Sequence, residues 1–283
     1  MNPDPEVPRP GLTVAVVYPD LLGTYGDGGN GLILARRAQW RGIDARILAA
    51  DSGSPLPTAD LYCIGGGEDG PQVHAAEALL ADGTMHRAVE HGAVVLGVCA
   101  GYQLLGHSFP DSADRPHAGL GLLDVTTRKG TGRRAVGELV ATVAADAPRP
   151  LGGAALPRLT GFENHGGVTT VGPGARPLAQ VVHGVGNGGG DGTEGAWSGR
   201  VLGSYLHGPL LARNPALADL LLAWALTPPD RPDGRDGADG RAELRPLDDH
   251  REAALRDERL TAVDRGGQSG WRARLGRLGR LGR

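Results

Sequence analysis

The residues whose spacing carries the most chemistry are Gly97-Val98-Cys99-Ala100-Gly101. An apolar run from Ala93 to Val98 precedes the cysteine, and the helix-compatible Tyr102-Gln103-Leu104-Leu105 follows it. G-x-C-x-G between a buried strand and a helix is the thiol counterpart of the G-x-S-x-G nucleophile elbow. The tight turn lifts the side chain above the sheet edge, and the flanking glycines let two backbone segments pass without Cβ clashes. The helix that follows sets N–H groups and its positive end near the sulfur, favouring thiolate and a developing oxyanion. Ala100 N–H is the expected first donor. Gly65-Gly66-Gly67, closing a neighbouring strand, is expected to supply a second through Gly66 or Gly67. The alternative for Cys99 is a small core residue, the commoner fate of a free cysteine. The strand-turn-helix context argues against that for Cys99, whereas Cys63 lies mid-strand without those flanks and reads as core.

A thiol nucleophile needs a base, and the chain has nine histidines. His74, His86, His91 and His107 fall on predicted helices or their ends and are expected to face solvent. His207 is different: it follows the apolar strand Val201 to Leu206 at its carboxyl end, the edge where open α/β sheets gather ligands. His165, in Glu163-Asn164-His165, has glycine-rich flanks that suit a turn. No second histidine or cysteine stands at zinc spacing, so a structural role is expected and no metal site is predicted.

These groups need a sheet to hold them. Thr13 to Tyr18, Ile43 to Leu48, Leu61 to Ile64 and Ala93 to Val98 read as buried strands, with helical stretches at about 30–40 and 72–90 between them. Such alternation predicts an α/β fold, a doubly wound sheet with flanking helices. Beyond Gly119 shorter extended segments follow (122–127, 138–143, 161–171, 179–185, 201–205), then a helix over 217–226. The expected organisation is a lead-in over 1–12, one domain over 13–227, a flexible linker over 228–247 rich in Pro, Asp, Gly and Arg, and a charged helical and low-complexity tail over 248–283, read as solvated. With 40% hydrophobic but only 4% aromatic residues, the core must be built from Ala, Val, Leu and Ile. A formal net charge of −3 gives no global pull towards nucleic acid. Two cysteines and no run approaching ~18 apolar residues suit a soluble protein of the reducing cytoplasm.

Gly97 to Gln103, together with Ser204-Tyr205-Leu206-His207-Gly208-Pro209, resembles the class I glutamine amidotransferases of the cobyric acid synthase-like branch. Tyr18 to Asp27 and Gly161-Phe162-Glu163-Asn164-His165-Gly166-Gly167 are closer still to the glutaminase (GatD-like) subunits of lipid II isoglutaminyl synthase, over about Val14 to Leu226. The resemblance implies a glutaminase with Cys99 as nucleophile and His207 as base. It needs no cofactor of its own and passes ammonia in a heterodimer to a Mur-ligase-like (MurT-like) partner. That partner, carrying ATP and Mg²⁺, would amidate the D-glutamate of lipid II. Arg134-Ala135-Val136-Gly137-Glu138 matches the family's Arg-x-x-Gly-acidic pattern, so Arg134, with Arg133 as runner-up, and Gln103 are the candidate glutamine-binding residues. A guanidinium clamps an α-carboxylate in a bidentate way. Many relatives carry a glutamate two residues after the histidine; here Pro209 stands there. The carboxylate that orients His207 is therefore expected from elsewhere in the chain or, more specifically, from the partner.

Three other readings compete. A corrinoid acceptor would replace lipid II, and a noncatalytic subunit would keep the fold without using the thiol. Gly26-Asp27-Gly28-Gly29-Asn30-Gly31, with Asp51 beyond it, formally matches a dinucleotide fingerprint, although Pro19 and further loop residues separate it from the strand.

Overall fold

Leu12–Val17 (β1) is buried at every residue, as a parallel strand covered on both faces must be. The computed structural model describes residues 11–148, 155–227 and 244–278, with side chains described as far as Asp264. After β1 come α1 (Gly29–Gln39), β2 (Ala45–Ala50), β3 (Leu61–Ile64), α2 (Asp69–Asp82), α3 (Thr84–Glu90), β4 (Val94–Val98) and α4 (Ala100–Leu105). The expected helical stretch over 72–90 is interrupted, because Gly83 takes a left-handed φ of 66° and caps α2 through Leu79 O.

Then follow β5 (Ser108–Pro110), β6 (Pro116–Ala118), β7 (Val125–Lys129), β8 (Ala135–Val143), β9 (Leu159–His165), β10 (Gly167–Val171), β11 (Ala179–His183), β12 (Thr193–Glu194), β13 (Ala196–Ser198) and β14 (Val201–Ser204). Helices α5 (Leu210–Arg213), α6 (Pro215–Ala225) and α7 (His250–Leu278) complete the order. Among the described residues no helix is long and apolar enough to cross a membrane.

The main sheet runs β13-β14-β4-β3-β1-β2, parallel except for the antiparallel edge strand β13. This is the α/β sheet with flanking helices that the sequence predicts. Its register lines up the strand ends: Val17 lies beside Ile64, Ile64 beside Gly97, and Gly97 beside Gly203. The segments leaving β1, β3, β4 and β14 therefore emerge at one edge. The later strands form two four-stranded sheets, β10-β7-β5-β6 and β12-β11-β8-β9. The segment expected as one strand over 161–171 breaks at Gly166, so that β9 and β10 belong to different sheets. Pairing of Ala135 with His165 and Val136 with Asn164 carries the start of β8, and with it Arg134, to the end of β9.

Residues 244–249 depart from the expected linker and solvated tail. Arg37 on α1 is 2% exposed, and its Nε and NH2 each donate to the Asp219 carboxylate at 2.8 Å. Its NH1 and NH2 also donate to Asp249, at 2.6 and 3.0 Å. Arg41 reaches Asp219 at 2.7 Å and Arg245 O at 2.7 Å, while Arg245 NH2 donates to Trp40 O at 2.7 Å. Burial alone would weaken Arg37's hold on its proton, but the Asp219 and Asp249 carboxylates outweigh it and keep the guanidinium charged. Local composition made this segment read as linker, whereas its partners lie some two hundred residues earlier. The lead-in residues 1–10, the linker residues 228–243 and the end of the tail, 279–283, lie outside the described residues.

Asp219→Ala takes a carboxylate from two buried guanidinium groups. It is expected to lower stability by about 3–5 kcal/mol, as breaking a buried ion pair does. The urea midpoint measures the loss, and an unchanged midpoint refutes it.

Candidate active site

Cys99 stands between β4 and α4 with φ 53° and ψ −103°, a left-handed conformation that costs a non-glycine residue roughly 1–3 kcal/mol. Neighbouring backbone holds it there. Cys99 N–H donates to Ser204 O at 2.8 Å, and Gly101 N–H to Gly65 O at 3.1 Å. The flanking glycines are needed as the motif predicts. A Cβ on Gly97 would come within 2.7 Å of the Gly101 backbone, and one on Gly101 within 2.3 Å of Ile64 O. Cys63, by contrast, is buried in the core strand β3, and desolvation pushes its thiol up to about 12.

His207 follows β14 and is pinned by a two-way backbone bridge to Phe162 of β9, with N···O distances of 2.8 and 3.2 Å. Its Nδ1 lies 2.9 Å from Asp27 Oδ2, and both residues are 1% exposed. Asp27 sits in the loop between β1 and α1 and also accepts Gly66 N–H at 2.9 Å. A carboxylate at Nδ1 assigns that nitrogen the proton and leaves Nε2 for the thiol. Burial pulls the His207 pKa down; hydrogen bonding to Asp27 and then the Cys99 sulfur outweighs it, and the net value rises to about 10. Nε2 has no partner at hydrogen-bonding geometry among the described residues, although the sulfur is near enough to favour the imidazolium. Such contacts tighten in a Michaelis complex. The Tyr25 ring covers His207, with centroids 4.7 Å apart.

Two expectations are sharpened. Of the two sources expected for the carboxylate on His207, the chain itself supplies one at Nδ1, Asp27, whereas position 209 holds proline. Gly66 is not free as an oxyanion donor, because its N–H is committed to Asp27 and its Cα packs under the imidazole, where a Cβ would lie 2.7 Å from His207 Cε1. Gly67 and Ala100 line the same cavity as Cys99 and retain that candidacy.

The cavity encloses about 290 Å³ and is also lined by Gln72, Gln103, Lys129, Arg134 and Asn164. It stands at the lower end of the roughly 300–1,000 Å³ range of small-ligand sites, a size for an amino acid. Arg134 is exposed at its rim, with Nε donating to Asn164 Oδ1 at 2.6 Å and NH2 to Asn164 O at 3.0 Å. Arg133 is exposed and is not part of the lining. Gln103 lines the cavity, but its amide is engaged on both sides, accepting from Gln72 at 2.9 Å and donating to Tyr205 OH at 3.2 Å.

His165 is 3% exposed, stacked on Tyr205 at 3.7 Å, with Nδ1 3.0 Å from Gly167 O, in keeping with a structural role. Of the helical histidines, His74, His91 and His107 are exposed, while His86 is half-buried with Nε2 2.7 Å from Leu120 O. Asp27's engagement with His207 also removes the reason to read Gly26 to Gly31 as a dinucleotide loop. Asp27, Tyr25, Asn164 and Gln72 are the site residues that sequence reasoning missed. Asp27 lay in view within the Tyr18 to Asp27 segment, but no spacing rule ties it to His207, 180 residues away.

The family model for CobB/CobQ-like glutamine amidotransferase domains matches residues 13–215. The chain is 33% identical over 219 residues to the lipid II isoglutaminyl synthase (glutamine-hydrolyzing) subunit GatD of Streptococcus pneumoniae (strain ATCC BAA-255 / R6), covering 76% of this chain and 80% of the relative. It is 35% identical over 219 residues to the subunit of the same name from Staphylococcus aureus (strain N315), covering 76% and 84%. A cobyric acid synthase from Pelotomaculum thermopropionicum is 36% identical over 188 residues, which make up 63% of this chain but only 35% of that enzyme. Among solved structures, a glutamine amidotransferase superposes with a TM-score of 0.50 at 22% identity, covering 75% of this chain and 98% of that one, a likeness of fold.

The folded His207 pKa lies above the unfolded value of 6.5. The stabilisation from its proton is therefore complete below about pH 6.5 and lost as pH rises through about 10. In Asp27→Asn the imidazole is expected to titrate markedly lower, read by NMR, and the fall in stability over that window to flatten. An unmoved titration removes Asp27 from this role.

Proposed function

Because the chain belongs to the CobB/CobQ-like glutamine amidotransferase family, we propose that it is the glutaminase subunit of a two-part amide synthetase, with Cys99 as nucleophile, His207 as acid and base, and Asp27 orienting His207. The observation that carries this reading is the buried Asp27–His207 pair at the strand-end edge that also holds Cys99, beside the cavity that Cys99 and Arg134 line.

The chemistry follows from the geometry. Glutamine's α-carboxylate takes the guanidinium of Arg134, which places the side-chain amide over the sulfur. The Cys99 thiolate, stabilised by the His207 imidazolium, attacks the amide carbon. The N–H groups of Ala100 and Gly67 receive the oxygen of the tetrahedral intermediate. His207 gives its proton to the departing nitrogen, and ammonia leaves behind a γ-glutamyl thioester. A water molecule, deprotonated by His207, attacks that thioester, glutamate is released and the thiolate is restored. Asp27 stays ionised throughout and holds the ring in the orientation both steps need.

The finer reading is that the ammonia goes to a Mur-ligase-like subunit that uses ATP and Mg²⁺ to activate the D-glutamate carboxyl of lipid II, in the cytoplasm. The names and coverage of the two GatD relatives support it. So does the sequence, which contains no G-x-x-x-x-G-K-[ST] phosphate loop and hence no recognisable means of activating a carboxylate. Ammonia is largely protonated at neutral pH, and direct transfer between subunits avoids that loss. A corrinoid acceptor draws on the cobyric acid synthase relatives alone, whose own length is matched only in part.

The test is glutamate release from L-glutamine, and ATP-dependent lipid II amidation, by the chain copurified with its ligase partner. Cys99→Ala is expected to abolish both while the urea midpoint changes little. Glutamate release by a folded Cys99→Ala protein refutes the assignment. Arg134→Ala is expected to raise KM for glutamine with a smaller change in kcat. An unchanged KM moves the clamp to another residue.

A further inference from the structure

Asn164 meets the nucleophile, the proposed substrate clamp and the residue covering the base. Its backbone oxygen accepts Arg134 NH2 at 3.0 Å and lies 3.9 Å from Cys99 Sγ, as the acceptor of the thiol. Its side-chain oxygen accepts Arg134 Nε at 2.6 Å. Its side-chain nitrogen donates to Tyr25 OH at 2.9 Å, and the Tyr25 ring stands against His207. The side chain is thus held at both ends, and the backbone is locked in β9 by its pairing with Val136.

A guanidinium presents two forked edges. Asn164 takes the Nε/NH2 edge, and the NH1/NH2 edge remains for a carboxylate. The same carbonyl oxygen that receives NH2 lies 3.9 Å from the sulfur, so the main chain at Asn164 brings clamp and nucleophile near each other, and the side-chain oxygen on Nε fixes the guanidinium there. That distance decides which amide the sulfur can reach. Glutamine and asparagine share the α-carboxylate and the terminal amide and differ by one methylene between them.

We infer that Asn164 is a specificity-determining positioning residue, the spacer that fixes Arg134 relative to Cys99 so that the amide carbon of glutamine, and not that of asparagine, meets the thiolate. The inference rests on the glutaminase reading above. It assigns the Asn164 side chain no chemical step, only the placing of Arg134 relative to Cys99.

Its test compares kcat and KM for L-glutamine and L-asparagine in the wild-type complex, in Asn164→Ala and in Asn164→Ser, with circular dichroism and urea midpoints as controls on folding. The wild type is expected to favour glutamine in kcat/KM by at least the roughly 10–200-fold that one methylene carries. In Asn164→Ala the KM for glutamine rises about tenfold, kcat falls less, and the preference over asparagine shrinks several-fold. Asn164→Ser, which also loses the reach to Arg134 Nε, behaves in the same way. Combining Asn164→Ala with Arg134→Ala gives no KM rise beyond Arg134→Ala alone, because Asn164 acts through Arg134. Folded Asn164 variants with wild-type KM and discrimination overturn the inference, and so does a double variant whose KM rise is the product of the two single rises. No glutamate from the wild-type complex overturns the glutaminase reading and this inference together; glutamate from wild type with unaltered variants overturns this inference alone.

Discussion

A carboxylate buried at the edge of a sheet must find partners or give up its charge, and at Asp27 those partners organise the site. Oδ2 takes the N–H of Gly66, after β3, and the Nδ1 side of His207, after β14, while Asp27 itself belongs to the segment after β1. One oxygen therefore ties three chain segments that share only the strand-end edge. Its hydrogen bond to His207, followed by the nearby Cys99 sulfur, is also what outweighs burial and lets the imidazole hold its proton. Gly66 shows how closely the parts fit: it gives its amide to Asp27, and its missing side chain leaves room for the imidazole.

The main sheet supplies the thiol, the imidazole, the carboxylate and one side of the cavity. The exposed guanidinium at the rim comes from the sheets built by the later strands. Antiparallel pairing of β8 with β9 sets Arg134 beside Asn164, and the bridge between Phe162 and His207 stitches the same strand to the end of β14. Strand β9 thus has one backbone neighbour in the reacting constellation and one at the rim. Next to it lies the buried stack of His165 on Tyr205, whose hydroxyl also meets Gln103 and Thr169, so two residues of the cavity lining are tied to the same tyrosine.

Charge organises the opposite flank for a different purpose. Arg37 in the last turn of α1 and Arg41 just beyond the helix gather Asp219 from α6, and Arg37 adds Asp249 from the C-terminal segment. Helix α1 follows directly on the loop that carries Asp27, and Leu211 N–H donates to Asn30 Oδ1 near its start. The same helix is therefore tied at its start to the segment that follows His207 and at its end to the ion-pair cluster.

What the sequence by itself determined is what is encoded locally. The apolar runs set the strands of the main sheet, and alternation with helical stretches set its class. Cys99 was legible because its strand, its glycines and its helix are contiguous, and His207 because it closes an apolar strand. Arg134 needed a family pattern, since an exposed arginine before a strand has no local signature of its own. Only the tertiary structure decided the rest. Asp27 and His207 are 180 residues apart, Asn164 and Tyr25 139, and Arg37 and Asp249 212. No periodicity or spacing rule spans such separations. Whether an acid in a glycine-rich loop faces solvent or a buried imidazole depends on which strand ends the sheet register brings together, and whether an amide is free to receive an oxyanion depends on what has already claimed it. Pairing of charges and hydrogen bonds is a property of proximity in space, and for these groups proximity exists only once the sheet is assembled.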